Sequence, residues 1–221
     1  MRFPTLCVDD FYKNPEQIRD FALSLEYSKP EGIYPGERTK YLHEIDKKLF
    51  QQFCEKLFSL FFNYKVERCD WKIETRFQKT YSFTDNPKNL INSGWDHLDN
   101  NVFAAGIIYL NKNNTIDSGT TISKLTKDID VFDYSIRDKM YHDRLEDIDK
   151  YENALENHRK HFEDTIIFKN VFNRMICYDS SQWHRETNLF YENEPRLTQV
   201  FFIHDVKAES FPVERCMSYP L

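Results

Sequence analysis

From Trp71 onward the hydrophobic pattern of the chain has a period of two: Trp71, Ile73, Thr75 and Phe77 alternate with Lys72, Glu74, Arg76 and Gln78. Alternation of that kind is what a strand with one wet face requires, and no helix can bury it on a single side. Further strands are expected at 102–110, 116–122, 165–168, 173–178 and 197–206. Before Trp71 the pattern differs. A short strand at 4–8 is followed by Asn14-Pro15-Glu16-Gln17, which offers an N-cap residue, a proline at the first helical position and a capping-box glutamine. Ile18, Phe21, Ala22 and Leu25 then share one helical face. After a loop broken by Pro30, Gly32, Pro35 and Gly36, a second helix is expected over 42–62, with Ile45, Leu49, Phe53, Leu57, Leu60 and Phe61 on its buried stripe. A helical layer followed by short strands points to a mostly β, α+β architecture: an antiparallel sandwich or jelly roll braced by helices.

The 221 residues suit one domain over 1–221, with residues 1–66 as strand and bracing helices and 71–206 as the β core. Within that core, a charged stretch at about 123–164 has weak β signals and reads as an insertion, helical near 144–161. A net charge of −6 with no basic block disfavours nucleic acid as a partner. The five cysteines are scattered and form no CxxC pair, which argues against a disulfide framework or zinc ribbon and for a reducing compartment. The start, Met1-Arg2-Phe3-Pro4, lacks a signal-peptide core, and no apolar run reaches the ~20 residues of a membrane span. A cytoplasmic protein with no membrane association is expected; the sequence does not specify its oligomeric state.

Chemistry enters at His97-Leu98-Asp99. On an extended backbone, residues two apart point to the same side, so an imidazole and a carboxylate can share a metal. Together with the later His184 they supply the two-histidine, one-carboxylate facial set of non-haem iron(II) sites, which leaves positions open for other ligands. His161-Phe162-Glu163 repeats the spacing, but it lies in the charged insertion and is expected on a solvated helix. Arg196 opens the last strand with Thr198 on the same face. A buried dicarboxylate needs a planar, permanently charged, bidentate partner, which is the geometry of arginine. Ser180-Ser181 lacks a GxSxG elbow, and no glycine-rich phosphate loop occurs. Arg38, in the 34–39 loop, is either a substrate-facing residue or an ordinary turn charge, and the second is the expectation.

The order of these parts resembles the iron(II)/2-oxoglutarate-dependent dioxygenase superfamily, especially its prolyl-hydroxylase-like branch. The shared succession is HxD at 97–99, a strand ending Tyr109-Leu110-Asn111, a Gly119-Thr120 strand, the distal His184 and the Arg196-x-Thr198 strand. The likeness covers roughly residues 71–206, and the segment Tyr34-Pro35-Gly36-Glu37-Arg38-Thr39 is similar to a subgroup of bacterial and phage oxygenases. It implies a double-stranded β-helix (cupin-like jelly roll) and a hydroxylase that uses iron(II), 2-oxoglutarate and O2. It also implies His97, Asp99 and His184 as catalytic iron ligands. Arg196, Thr198 and Tyr109 would then bind the distal carboxylate of 2-oxoglutarate. Keeping Asp99 argues against a halogenase. The substrate would be a peptidyl residue or a small molecule. A cupin-like metal hydrolase or isomerase, which gives Arg196 and Thr198 no role, and a non-catalytic jelly-roll binding or structural protein, for which the metal trio would be accidental, are the rival readings. The insertion is expected to act as a lid or substrate-binding element.

Overall fold

The computed structural model describes residues 2–29, 32–63, 68–112, 118–126, 132–143, 147–192 and 194–220. Strand β1 (Leu6–Val8) leads into α1 (Pro15–Ser24). Asn14 precedes that helix without a side-chain cap, so the expected capping box does not form. The short β2 (Glu37–Arg38) follows. The helix expected over 42–62 is two helices, α2 (Leu42–Ile45) and α3 (Lys47–Phe58). The break is Asp46, whose extended backbone (φ −145°, ψ 97°) stops α2 while its carboxylate accepts a hydrogen bond from Leu49 N at 2.9 Å to cap α3. Side-chain capping of this kind competes with continuing the helix.

The alternating segment forms β3 (Asp70–Thr80). After a single 3₁₀ turn (Leu90–Asn92) come β4 (Ala104–Tyr109), β5 (Thr120–Leu125), helices α4 (Ser135–Asp143) and α5 (Ile148–Arg159), and strands β6 (Phe162–Phe168), β7 (Met175–Asp179), β8 (Trp183–Glu186) and β9 (Arg196–Lys207). The chain ends near α6 (Pro212–Ser218). β5 starts later than expected; residues 116 and 117 lie outside the described ones. The short β8 is additional to the expected strands, because only four residues of it pair. Among the described residues no helix is long and apolar enough to cross a membrane.

Two antiparallel sheets result, a six-stranded one in the order β1-β7-β4-β9-β3-β2 and a three-stranded one in the order β6-β5-β8. This is the jelly-roll-like α+β fold that the pattern suggested. The two-residue period then sorts each strand's side chains. On β9, Leu197, Phe201 and Ile203 join the helix-side core with Phe53, Leu57 and Phe58 of α3. Arg196, Val200 and Phe202 face the opposite way, into a cavity between the sheets. Ala105, Tyr109, Ile176 and Tyr178 form the apolar lining at that level.

The insertion is tighter than expected, since β5 and β6 pair from Thr120↔Phe168 out to Leu125↔Phe162. It therefore springs from the end of a hairpin. His161-Phe162-Glu163 stands at the start of β6, not on a helix, because the Leu125↔Phe162 pairing extends the strand to that point. Helices α4 and α5 carry a second core: Met140, Tyr151 and Leu155 bury against Ile91 and Trp95.

Candidate metal centre

His97 and His184, far apart in sequence, are backbone partners. His97 N donates to His184 O at 3.0 Å and His184 N donates to His97 O at 3.1 Å. β8 thus has β5 on one side, with Ile122 opposite His184, and the residue 97 segment on the other. The bridge brings the imidazoles to a centroid distance of 4.4 Å. Asp99, two residues along, returns to the same face, with Oδ2 3.2 Å from His184 Nε2. One ligand atom from each of His97, Asp99 and His184 lies within 4.8 Å of the others.

The outward nitrogens are fixed by local backbone. His97 Nδ1 lies 2.8 Å from Trp95 O and His184 Nδ1 3.0 Å from Gln182 O. A carbonyl only accepts, so each Nδ1 carries the proton and each Nε2 presents its lone pair to the shared point. Burial, then the neighbouring His184, pushes the His97 pKa down, which favours the neutral, ligating form. Burial acts in the same sense on His184, but the Asp99 carboxylate outweighs it and raises that pKa. For Asp99, burial works upward and is overcome by His184, His97 and Arg38, which hold its pKa at about 2. A carboxylate and two imidazoles gathered this closely are a donor set for a divalent cation.

Behind the ligands lies a buried polar layer. Asp96 Oδ1 accepts from Ser123 Oγ at 2.5 Å and from Arg185 Nη1 at 3.1 Å, and Arg185 Nη2 reaches Asp164 at 2.8 Å. The Asp96 carbonyl accepts from Tyr134 Oη and His158 Nε2, both at 2.9 Å. His158 is boxed among Trp95, Phe132, Tyr134 and Phe162, and burial lowers its pKa to about 4. Such outer contacts hold ligand rotamers in place. Gly94 lets β8 come close: a Cβ there would sit 2.2 Å from Glu186 Oε2 and 2.8 Å from Glu186 N.

The cavity, about 320 Å³, runs from the three ligands to Arg196. Arg196 is 1% exposed; its Nε donates to Ser118 O at 2.7 Å, and its Nη2 has no partner among the described residues. Thr198 Oγ1 is likewise buried without one. Unmet donors of this kind are costly unless a ligand completes them. They fit one carboxylate. Tyr109 stands opposite Thr198 across the β4–β9 ladder, under the Arg196 guanidinium at 5.6 Å, and its hydroxyl donates to Thr120 Oγ1 at 2.8 Å. The structure thus brings together all six residues singled out from the sequence, with Tyr109 turned toward Thr120.

A family model matches residues 2–187, a span that includes His97, Asp99 and His184. The chain belongs to DUF6445. That family is described as one of unknown function. No curated protein matches this DUF6445 chain. Its fold is similar to that of HygX from Streptomyces hygroscopicus with nickel and 2-oxoglutarate bound, at 10% identity and TM-score 0.51, covering 91% of this chain and 83% of HygX. It is also similar to a prolyl hydroxylase from Trichoplax adhaerens in complex with a hypoxia inducible factor peptide, at 11% identity and TM-score 0.50, covering 98% and 87%. A third similar structure is the epimerase SnoN in complex with Fe3+, alpha ketoglutarate and nogalamycin RO, at 9% identity and TM-score 0.50, covering 100% and 86%. At such identities the likeness shows the fold.

Several residues of the DUF6445 cavity escaped the sequence reading. Arg38, read there as a turn charge, lines the cavity, because Gly36 (φ +86°) lets the chain press onto β3; a Cβ at Gly36 would lie 2.0 Å from Lys79 O. The Arg38 guanidinium lies 3.5 Å from the Tyr34 ring centroid, and its Nε donates to Gln78 Oε1 at 2.7 Å. Burial lowers its pKa to about 10. Arg137 and Tyr141 of α4 and Glu186 of β8 complete the wall. Glu186 carried a signal that could have been used, the two-residue step from His184 on an extended backbone.

Proposed function

We propose that this protein is an iron(II)- and 2-oxoglutarate-dependent oxygenase that hydroxylates a C–H bond of a small molecule or peptidyl residue. The observation that carries the reading is the pairing, in one cavity, of a His97–Asp99–His184 donor set with the unmet donors of Arg196 and Thr198. A metal hydrolase on the same sandwich needs the first and leaves the second unexplained. The fold shared with HygX, whose structure holds nickel and 2-oxoglutarate, supports it.

On this reading His97, Asp99 and His184 would hold the metal and leave room for further ligands from the cavity. Arg196 and Thr198 would hold the distal carboxylate of 2-oxoglutarate, and Tyr109, its hydroxyl held by Thr120, lies under the guanidinium. Tyr178, Val200 and Phe202 keep water from the reacting region. When bound, iron(II) and 2-oxoglutarate would supply the O2 chemistry: two electrons from 2-oxoglutarate, as it becomes succinate and carbon dioxide, and two from the substrate C–H bond, as it becomes C–OH, together reduce O2. One oxygen atom enters succinate and the other the hydroxyl. The hard chemistry belongs to the bound groups, and the chain supplies position and shielding. A reducing, cytoplasmic setting agrees with five free cysteines.

The test is anaerobic calorimetry with iron(II), then with 2-oxoglutarate, followed by succinate release on admission of O2. Metal-dependent 2-oxoglutarate binding and succinate formation are expected. Metal binding with no affinity for 2-oxoglutarate would transfer the site to the hydrolase reading.

A further inference from the structure

Charge pairing inside the cavity leaves a definite remainder. Four arginines line it: Arg38, Arg137, Arg185 and Arg196. Arg137 is paired with Asp138 at 2.7 Å, and Arg185 with Asp96 at 3.1 Å and Asp164 at 2.8 Å. Arg196 is assigned to the oxo-acid. Among the described residues, Arg38 is then the one of the four without an ion pair: its Nε is held by Gln78 and its face by Tyr34, while Asp99 and Glu74 act on it electrostatically. Glu74 is itself 3.1 Å from His204. Two acids line the cavity, Asp99, a proposed metal ligand, and Glu186. Glu186 has no ion pair or side-chain hydrogen bond among the described residues; its charge is felt by His97, His184, Tyr141 and Tyr178.

These two unmatched groups stand on opposite walls. Arg38 is on β2, the edge of the six-stranded sheet, and Glu186 is on β8, the edge of the three-stranded sheet. The metal ligands line the same cavity, within electrostatic reach of both: Asp99 acts on Arg38, and Glu186 on His97 and His184. Gln78, 3% exposed, pins the Arg38 fork by also donating to Pro35 O at 2.9 Å, so the guanidinium is oriented before any ligand arrives. A pre-oriented, partly desolvated cation is matched by a carboxylate, and the facing carboxylate by an ammonium. The cavity volume of about 320 Å³ is at the small end for ligand sites and, with the oxo-acid seated, leaves space for a small molecule.

We propose that the substrate is a free basic amino acid, with its α-carboxylate on Arg38, its side-chain ammonium or guanidinium toward Glu186, and a methylene between them over the metal. The proposal rests on the oxygenase reading. The experiment uses the full chain loaded anaerobically with manganese(II) and 2-oxoglutarate. It is titrated calorimetrically with L-lysine, L-ornithine and L-arginine, and with norleucine and 1,5-diaminopentane, which lack the side-chain cation and the carboxylate respectively. At least one basic amino acid should bind, and the truncated analogue of either kind should bind at least ~10-fold more weakly. With iron(II) in place of manganese(II), and O2 admitted, that amino acid should raise succinate formation and gain one oxygen atom.

Arg38→Gln and Glu186→Gln should each weaken it by ~30-fold, the equivalent of about 2 kcal/mol, and shift 2-oxoglutarate affinity by less than ~2-fold. The analogue comparison is made on the unaltered chain and so decides the matter even where a variant misfolds. Binding of 2-oxoglutarate with no response to any basic amino acid would overturn the substrate assignment alone. So would an Arg38→Gln variant that loses 2-oxoglutarate instead, which would give Arg38 to the cosubstrate. Failure to bind 2-oxoglutarate at all would overturn both readings.

Discussion

Replacing Arg196 with methionine removes a buried cation while keeping much of its length. In the ligand-free chain that guanidinium is 1% exposed, gives its Nε to Ser118 O, and leaves Nη2 without a partner. The Ser118 bond, with a charged donor, contributes about 1.5–3 kcal/mol, and the unmet, desolvated Nη2 costs about 1–3 kcal/mol. The two nearly cancel, so ligand-free Arg196→Met should unfold within about 2 kcal/mol of the parent. The ligand-bound state should differ sharply. At a hundred times its Kd, 2-oxoglutarate stabilises the parent by ~2.7 kcal/mol. For a chain of 221 residues that is ~5–11 °C in Tm, at 2–4 °C per kcal/mol. The variant should show almost none of this shift, yet still respond to manganese(II) alone, because no metal ligand has changed. The assay is a thermal scan of both proteins with metal, with and without 2-oxoglutarate. A variant that keeps the parent's 2-oxoglutarate shift would refute the carboxylate assignment and the logic of unmet donors behind it.

Alanine at His97, Asp99 or His184 should lower divalent-metal affinity by more than the ~10–100-fold typical of an outer-layer partner; calorimetry on each folded variant checks it, and a variant with parental affinity leaves the donor set. His158 gives a pH dependence. Its pKa falls from 6.5 unfolded to about 4 folded, so the unfolded chain binds the extra proton. The stability held above pH 6.5 should therefore fall as pH drops through the 6.5–4 window, by at most ~3 kcal/mol. Denaturant titrations of metal-free protein across that window should flatten in His158→Phe. Excising α4 and α5 should weaken the metal site as well as any substrate site, because Ile91 and Trp95 would each lose burial that stabilises by about 1.5–3 kcal/mol. Unchanged metal affinity in such a chain would show that the second core is independent of the centre.

What the sequence disclosed followed from periodicity and residue chemistry. The step from His97 to Asp99 and from Arg196 to Thr198 needs only an extended backbone, so both pairs were legible before the strands were seen. The two-residue alternation from Trp71 likewise gave β3 closely. Three kinds of information were out of reach. Whether a helix stops depends on one backbone angle and one cap, as at Asp46, and the apolar stripe runs on regardless. Whether a polar residue is buried depends on distant strands: Asp96, at 0% exposure, meets Ser123, Arg185 and His158 from three separate elements. The role of Arg38 depends on Gly36 and on the Arg38↔Gln78 register, which a loop rich in proline and glycine conceals. Charge composition also misled in the insertion, where Met140, Tyr151 and Leu155 are a buried face diluted among charged neighbours.

The reciprocal hydrogen bonds between His97 and His184 make strand register and metal coordination a single variable. Side chains alternate, so slipping the 95–99 segment by one residue along β8 would turn His97 and Asp99 away together and bring Leu98 to their place. A misaligned chain cannot chelate weakly; it cannot chelate at all. On the proposed function, a bound ion would therefore check the alignment of these two chain segments and would favour the correct one. The long β5–β6 excursion lies outside that check, since its ends are joined by their own ladder. Provided Met140, Tyr151, Leu155, Tyr134 and His158 keep their contacts with the 91–96 segment, its other positions are free to change, and with them the shape of the wall that Arg137 and Tyr141 present to a substrate.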